Sequence, residues 1–566
     1  MRALSVLLGL LCAACVSAAV PERRPALLLH GGAIRLAAEG PVVEALLVVD
    51  GRVVAGGTGP EMEARARALQ AEPAQLALAR LDLAGATAVP GLIDAHGHLE
   101  GLGEALESVD LVGCTSLDEL CARVAERAAE QPRGTWVLGR GWDQTLFPGR
   151  EFPAHPSLSA RVPDHPVFLE RVDGHAAFVN ARALELAGLR SGALPSVEGG
   201  RIVTDAAGAP TGVLVDAATT LVSARIPAAD AATRERRVLR AQEALLAHGL
   251  VGMHDMGTSA ATLEVLRRLA RDGRLKLRVA SYLWANEGLA SFGALALERA
   301  PEARLRVLGA KLMIDGALGS RGAALLAPYA DEPDERGLLQ MSADDYAARL
   351  AEALTAGLQP ATHAIGDEGN RLVLQAYAEA FGGDPVARAW FRPRLEHAQV
   401  VAPEDWAQFD ALGVIPSMQP THATSDMRWA EARLGPKRLA GAYAWRRLPG
   451  PHAPLACGSD FPVESPSPLL GLYAARTRQD ARGEPPGGWL PDQRLSGAEA
   501  LAGFTSGAAH AAHEEERRGK LLPGFAADLT VLSVDPVTCE PRALLGARVL
   551  ATIVDGELVH SALPEH

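Results

Sequence analysis

Pro90-Gly91-Leu92-Ile93-Asp94-Ala95-His96-Gly97-His98 runs from a Pro-Gly turn through an apolar segment to two histidines spaced two apart. A strand alternates its faces, so His96 and His98 project to the same side. Two imidazoles leaving a strand end together make half of a metal site. Paired histidines are also common on surfaces, so the pattern needs support from the rest of the chain.

The same design repeats downstream. Short apolar runs end near residues 93, 251–254, 279–283, 311–314, 359–363, 394–397, 414–418 and 455–458. Between them lie Ala/Leu/Arg-rich stretches with helical character over 233–248, 259–272, 343–357, 369–381 and 403–412. Strands alternating with helices imply a parallel sheet, and about eight repeats imply a (β/α)₈ barrel. Three strand ends carry further candidate ligands. They are His363 in Thr362-His363-Ala364-Ile365-Gly366-Asp367, His397 in Leu395-Glu396-His397, and Asp460 in Gly458-Ser459-Asp460-Phe461. A lone histidine is more often a core or surface residue. Four histidines and an aspartate at four strand ends in chain order, all in Gly-rich strand–loop contexts, favour convergence at the C-terminal rim, where barrel active sites lie.

Residues 88–513 are therefore expected to form the barrel. Residues 99–230 are too long for one barrel loop and hold strand candidates at 136–138, 167–169 and 201–203, so they read as an inserted subdomain over the barrel mouth. Residues 26–59 contain short strands with an Asp50-Gly51 turn, and 61–80 read as an Ala-rich helix. The C-terminus mirrors this with strands around Asp555-Gly556. Residues 26–87 and 514–566 are thus expected to supply the two halves of one small β-sandwich.

Composition sets the limits. The chain has 566 residues, 48 % hydrophobic and 22 % charged, which excludes wholesale disorder, collagen and a coiled coil. Its formal charge of −13 and the lack of a basic block argue against nucleic-acid binding. After Met1 and Arg2 an apolar run reaches Val16-Ser17-Ala18, a secretory signal pattern over residues 1–18. The expected location is periplasmic or secreted. Cys15, after Cys12-Ala13-Ala14, resembles a lipoprotein cleavage box with Cys12 in the place usually held by Leu, so a membrane-anchored lipoprotein is the alternative. No later run is long enough to span a bilayer. The remaining Cys114, Cys121, Cys457 and Cys539 match no zinc ribbon and read as buried hydrophobes.

Taken together, these segments resemble the metal-dependent amidohydrolase superfamily, in particular amidohydrolase family 3, the group with N-substituted formamide deformylases. The likeness runs from about residue 26 to 560. It is carried also by Gly139-Arg140-Gly141-Trp142-Asp143-Gln144, by Asp173-Gly174-His175-Ala176-Ala177-Phe178-Val179-Asn180 and by Lys311-Leu312-Met313-Ile314-Asp315-Gly316. Ser417-Met418-Gln419-Pro420-Thr421-His422 and Gly524-Phe525-Ala526-Ala527-Asp528-Leu529 belong to it too. The resemblance implies a barrel plus a composite β-sandwich. It implies His96 and His98 as first-strand ligands, His363 and His397 as fifth- and sixth-strand ligands, and Asp460 as the eighth-strand ligand. Lys311 takes the fourth-strand position where relatives can hold a carboxylated lysine bridging two metals. An ammonium has no lone pair to offer, so Lys311 serves only as a carbamate; otherwise it is an ordinary lysine paired with Asp315 or another acid.

The implied activity is hydrolysis of non-peptide C–N bonds in small amides or formamides by water activated on one or two Zn²⁺ ions, with other divalent transition metals as alternatives. Asp460 is the expected general base. His175 is expected to touch the substrate or polarise its carbonyl, or else to hold the insertion together. Trp142, Asp143, Arg321, Gln419 and His422 complete the candidate substrate contacts. Asn180 and Asp426 are candidate pocket walls, and His254 and Asp255 candidate supports behind the ligands. An esterase or cyclic-amide hydrolase on the same site, and a non-catalytic metal-dependent binding protein, stand as alternatives. Barrels of this architecture often pair, so a homodimer stands beside a monomer.

Overall fold

The computed structural model describes residues 24–70, 76–171, 176–192, 194–197, 200–293, 299–300 and 302–563. The signal pattern at residues 1–18, Cys15 and His175 lie outside the described residues. Eight parallel strands form one sheet in chain order. They are β1 (Leu92–Gly97), β2 (Leu250–Thr258), β3 (Arg278–Trp284), β4 (Leu305–Met313), β5 (Gln359–Ala364), β6 (Arg394–His397), β7 (Ile415–Met418) and β8 (Ala456–Cys457). The two edge strands nearly close on one another. Just beyond β8, Asp460 N donates to His96 O at 2.7 Å, and His98 N donates to Phe461 O at 2.9 Å.

Glycine permits this closure. A Cβ on Gly458 would stand 2.5 Å from His96 N, and one on Gly97 would stand 2.4 Å from the Phe461 ring. Helices cover the outside of the sheet. Ala231–Ala247, Ala260–Arg271 and Ala343–Thr355 begin where Asp230, Ser259 and Ser342 accept hydrogen bonds from the first turn. The alternation expected over 88–513 is thus a nearly closed parallel barrel. Its outer core is built from Leu, Val and Ala packed between strands and helices.

The stretch after β1 holds a helix, Leu99–Glu107, and then a six-stranded mixed sheet. That sheet runs in the order Gly200–Thr204, Pro210–Asp216, Ala176–Val179, Val167–Arg171, Val137–Trp142, Val109–Asp110. Two apolar clusters of its own flank it.

The chain ends build two more sheets among the described residues. One joins Arg24–His30, Ala45–Val49, Arg52–Gly57 and Leu76–Asp82. The other joins Ala33–Arg35, Val42–Val43 and Thr87–Pro90 with Leu529–Leu532, Val549–Val554 and Glu557–Ser561. A shared apolar cluster containing Leu29, Leu46, Val48, Leu529 and Ile553 lies between them. The Asp50-Gly51 and Asp555-Gly556 turns both have positive φ and meet through Ala527, which donates to Gly51 O and accepts from Gly556 N. The helix expected over 61–80 is only half present. Gly59–Gln70 is helical, but Leu76–Asp82 is a strand pairing in parallel with Arg24–His30. Pro73 in the sequence disfavours a continuous helix, and Leu76 and Leu78 alternate with exposed Ala77 and Ala79 as a strand requires, with Leu81 turned to the shared apolar cluster.

Candidate active site

The rim of the barrel brings the candidate ligands together. His96 ends β1 fully buried, and its Nε2 lies 3.5 Å from Asp460 Oδ1. His98 Nε2 lies 3.0 Å from the same oxygen. Donor atoms of His96, His397 and Asp460 all lie within 4.8 Å of one another. The His363 ring stands 4.5 Å from that of His397, and its Nε2, 3.5 Å from Asp315 Oδ1, is buried without a hydrogen bond. Lys311, on β4, reaches inward to 3.4 Å from His96 Nε2.

Local backbone sets these directions. Asp94, two residues before His96, accepts hydrogen bonds from His96 N, Ser459 N and Ser459 Oγ. This clamps β1 to the loop after β8 and seats Asp460. His397, Ala398 and Asp460 have φ of 73°, 42° and 61°. These left-handed conformations are unusual for residues with a Cβ and turn the side chains over the rim.

Electrostatics favour cation binding. Burial, then the Lys311 charge, pushes His96 down to about 4 and His363 down to about 3. Burial and neighbouring histidines hold His397 well below the usual range. Burial raises the Asp460 carboxyl, but the surrounding imidazoles, with the His98 hydrogen bond among them, lower it well below the usual carboxylate range, and Asp460 in turn raises His98. Neutral imidazoles beside a carboxylate are the donor state that a transition-metal ion requires. The cluster and the orphaned His363 Nε2 therefore fit a divalent cation. Lys311 is pushed down to about 8 by burial. Asp315 is not its partner, because the Asp315 carboxylate accepts from Ala324 N, Ile365 N and Gly366 N.

A cavity of about 370 Å³ opens above this cluster. Trp284, Met313, Leu318, Ile365 and Trp429 give its lining an apolar part, and His422, Asp426 and Glu464 a polar one. His422 stacks parallel to His397, takes a hydrogen bond from Gln399 at Nδ1 and leaves Nε2 buried without a hydrogen bond, 3.7 Å from Asp460 Oδ2. Asp426 accepts from the Tyr443 hydroxyl, and burial raises its carboxyl to about 6.

Several expected contacts belong elsewhere. Trp142 is fully buried in the insertion, edge-on to Phe152 and Phe178, with Nε1 donating to Leu169 O at 2.8 Å. Its indole is consumed by the subdomain core and does not line the cavity. Asp143 pairs with Arg171 at 2.9 Å. Arg321 pairs with Asp331 at 3.1 Å, so its guanidinium already holds a carboxylate of the loop. Gln419 accepts from His397 Nδ1 at 2.8 Å and acts behind the ligand rather than on a substrate. Asn180 caps the helix Ala181–Leu186 and binds Val162 O and His165 O. Asp255 anchors Leu99 N and Thr258, and His254 meets Arg394.

Sequence reasoning missed Asp94, Trp284, Trp429 and, most of all, Arg394 and Glu396. Arg394 and Glu396 alternate on β6 in a barrel strand, and opposite charges at alternating positions of such a strand were the available signal.

With this geometry in view, the comparisons decide the family. The amidohydrolase family profile matches residues 80–560. The chain belongs to the amidohydrolase family. It is 31 % identical over 538 residues to YtcJ of Bacillus subtilis (strain 168), whose name places it among amidohydrolases, covering 94 % of this chain and 98 % of that one. It is 28 % identical over 561 residues to the N-substituted formamide deformylase of Arthrobacter pascens, covering 95 % and 98 %. Among solved structures, an uncharacterized metal-dependent hydrolase from Pyrococcus horikoshii OT3 superposes with a TM-score of 0.77 at 30 % identity, covering 91 % of this chain and 99 % of that one. This amidohydrolase is a hydrolase acting on carbon–nitrogen bonds. Among its described residues, no helix is long and apolar enough to cross a membrane.

Proposed function

We propose that the protein is an exported, Zn²⁺-dependent hydrolase of amide or formamide bonds in small molecules. The observation that carries this reading is the convergence of His96, His397 and Asp460 donor atoms within 4.8 Å at the barrel rim. The Arthrobacter pascens relative is named for deformylating N-substituted formamides, which supports a small amide as substrate. A bound divalent cation supplies Lewis acidity toward a carbonyl oxygen and lowers the pKa of a coordinated water.

The ligands are His96, His98, His363, His397 and Asp460. Lys311 joins them once CO₂ converts its amine to a carbamate. Among the described residues it forms no ion pair, and its Nζ faces His96 Nε2 at 3.4 Å, where an anion would serve two cations better than an ammonium. Asp460 takes a proton from the attacking water as its oxygen bonds to the carbonyl carbon. Asp460 then returns that proton to the nitrogen as the C–N bond breaks, leaving an amine and a carboxylic acid. His422 Nε2, buried and unpartnered beside Asp460, donates to the carbonyl oxygen. Trp284, Met313 and Trp429 pack the apolar part of the substrate. We read the two terminal sheets as one β-sandwich formed from 26–87 and 514–566.

The test is steady-state hydrolysis of a panel of small amides and matched esters by Zn²⁺-loaded protein and by Asp460→Asn. Loss of the proton acceptor is expected to lower kcat by about 10²–10⁴-fold per bound cation, with the metal content of both proteins measured because Asp460 is also a proposed ligand. Equal rates for the two proteins would remove Asp460 from proton transfer. Cleavage of esters alone would move the substrate assignment.

A further inference from the structure

Arg394 and Glu396 stand on one face of β6, inside the barrel and fully buried. Barrel interiors are ordinarily filled by branched apolar side chains. A buried ion pair adds little stability over an apolar pair of the same volume. Its surroundings show what else it does. The Arg394 guanidinium lies 2.8 Å from Glu396 Oε1 and donates to Ala95 O at 2.7 Å, Ser417 Oγ at 3.0 Å and the Tyr282 hydroxyl at 2.9 Å. It is thereby tied to β1, β3 and β7. Glu396 Oε2 in turn lies 2.6 Å from His96 Nδ1.

A carboxylate can only accept, so His96 carries its proton on Nδ1 and its lone pair on Nε2. That Nε2 is the atom facing Asp460 and Lys311. We propose that Glu396, braced by Arg394, is a positioning residue for the cation site: it locks the His96 tautomer, aims Nε2 at the cation and makes it a stronger donor. This rests on the reading of His96 as a ligand. Carboxylate partners of metal-bound imidazoles orient the ring and raise its basicity, and their loss weakens metal binding by about 10–100-fold. Arg394 faces both oxygens of that carboxylate, with Nη2 donating to Oε2 at 3.2 Å beside His96 Nδ1, and holds the group in place. Glu396→Gln removes the carboxylate charge that Arg394 and His96 Nδ1 share and puts an NH₂ where one acceptor oxygen stood. The Nδ1–H tautomer then loses its charged acceptor, and Nε2 becomes a weaker donor toward the site.

The experiment titrates Zn²⁺ alone into metal-free protein against a competing chelator and records the thermal midpoint of each metal-free variant. His96→Ala tests the ligand reading. Glu396→Gln tests the proposal. Arg394→Met/Glu396→Leu replaces the ion pair by apolar side chains that keep the barrel filled. The expected result is Zn²⁺ affinity lowered about 10–100-fold in both Glu396 variants, each still unfolding in one cooperative transition when metal-free, the double variant at a lower midpoint because Ala95 O, Ser417 Oγ and the Tyr282 hydroxyl lose their donor. Wild-type affinity in Glu396→Gln, recovery of affinity in the double variant, or loss of the fold in both would assign the pair to the scaffold and overturn the proposal. Undiminished binding by His96→Ala would instead remove the ligand reading on which it stands.

Discussion

His397 shows how one residue's backbone decides the chemistry. On β6, Arg394 and Glu396 face the barrel interior, so strict alternation would send His397 the other way. Its φ of 73° and the 42° of Ala398 break the alternation and bring the imidazole over the rim. Such conformations cost about 1–3 kcal/mol each and persist where neighbours hold them. Here Ala398 N is held by Ala364 O and Val400 N by Ile365 O. Burial of the imidazoles has its own consequence. His96 and His363 sit near 4 and 3 against 6.5 in the unfolded chain. Between those values the unfolded state binds protons that the native state refuses, so the contribution of these two histidines is complete above pH 6.5 and is lost as pH drops toward 4, while buried Asp94 and Asp315, raised to about 7, act in the opposite sense. The histidine contribution is therefore read as the difference between wild type and a variant in the pH dependence of the urea midpoint of metal-free protein. His96→Asn should flatten part of the slope. An identical slope in that variant would contradict the assignment. The candidate ligands His96, His363, His397 and Asp460, which the fold gathers at the barrel rim, were legible as positions at strand ends. Glu396 was missed: its charge alternating with Arg394 on β6 was visible, but its meeting with His96 across the barrel was not.

At the scale of elements, the insertion supports itself. Its six-stranded sheet has separate apolar clusters, and Trp142 sits in one of them with its N–H satisfied by Leu169 O. The Gly-rich run Gly139-Arg140-Gly141-Trp142 suggests a substrate loop when read alone, yet Val137–Trp142 is an interior strand of that sheet. Truncating a buried tryptophan costs about 3–5 kcal/mol. Trp142→Ala should therefore lower the thermal midpoint while kcat/KM of the folded protein stays at the wild-type level. A large fall in kcat/KM without a change in melting would return Trp142 to the pocket. The strand Leu76–Asp82 was hidden for a related reason. Alanine-rich composition favours a helix, and the parallel pairing with distant Arg24–His30, invisible in the sequence, helps to override it.

At the scale of the whole molecule, the barrel was legible because strand and helix periods alternate over several hundred residues. The joining of the chain ends was hinted at by the twin Asp-Gly turns. The pairing that joins them, Leu529–Leu532 antiparallel to Thr87–Pro90, was not visible in the sequence, nor was the 2.7 Å pair of Arg278 on β3 with Asp528 that fastens the barrel to the C-terminal strands. Export belongs to this scale too. Protein recovered from the periplasm or medium should begin near Ala19, read by N-terminal sequencing, and a start at Met1 would contradict cleavage. The account as a whole depends on side chains from β1, β5, β6 and the loop after β8 sharing one cation. Anomalous diffraction at the zinc edge from crystals of Zn²⁺-loaded protein tests this directly. The predicted result is one or two peaks at the rim, bounded by His96 Nε2, His397 and Asp460. Zinc bound only elsewhere, or a rim without a peak at full zinc loading, would contradict it.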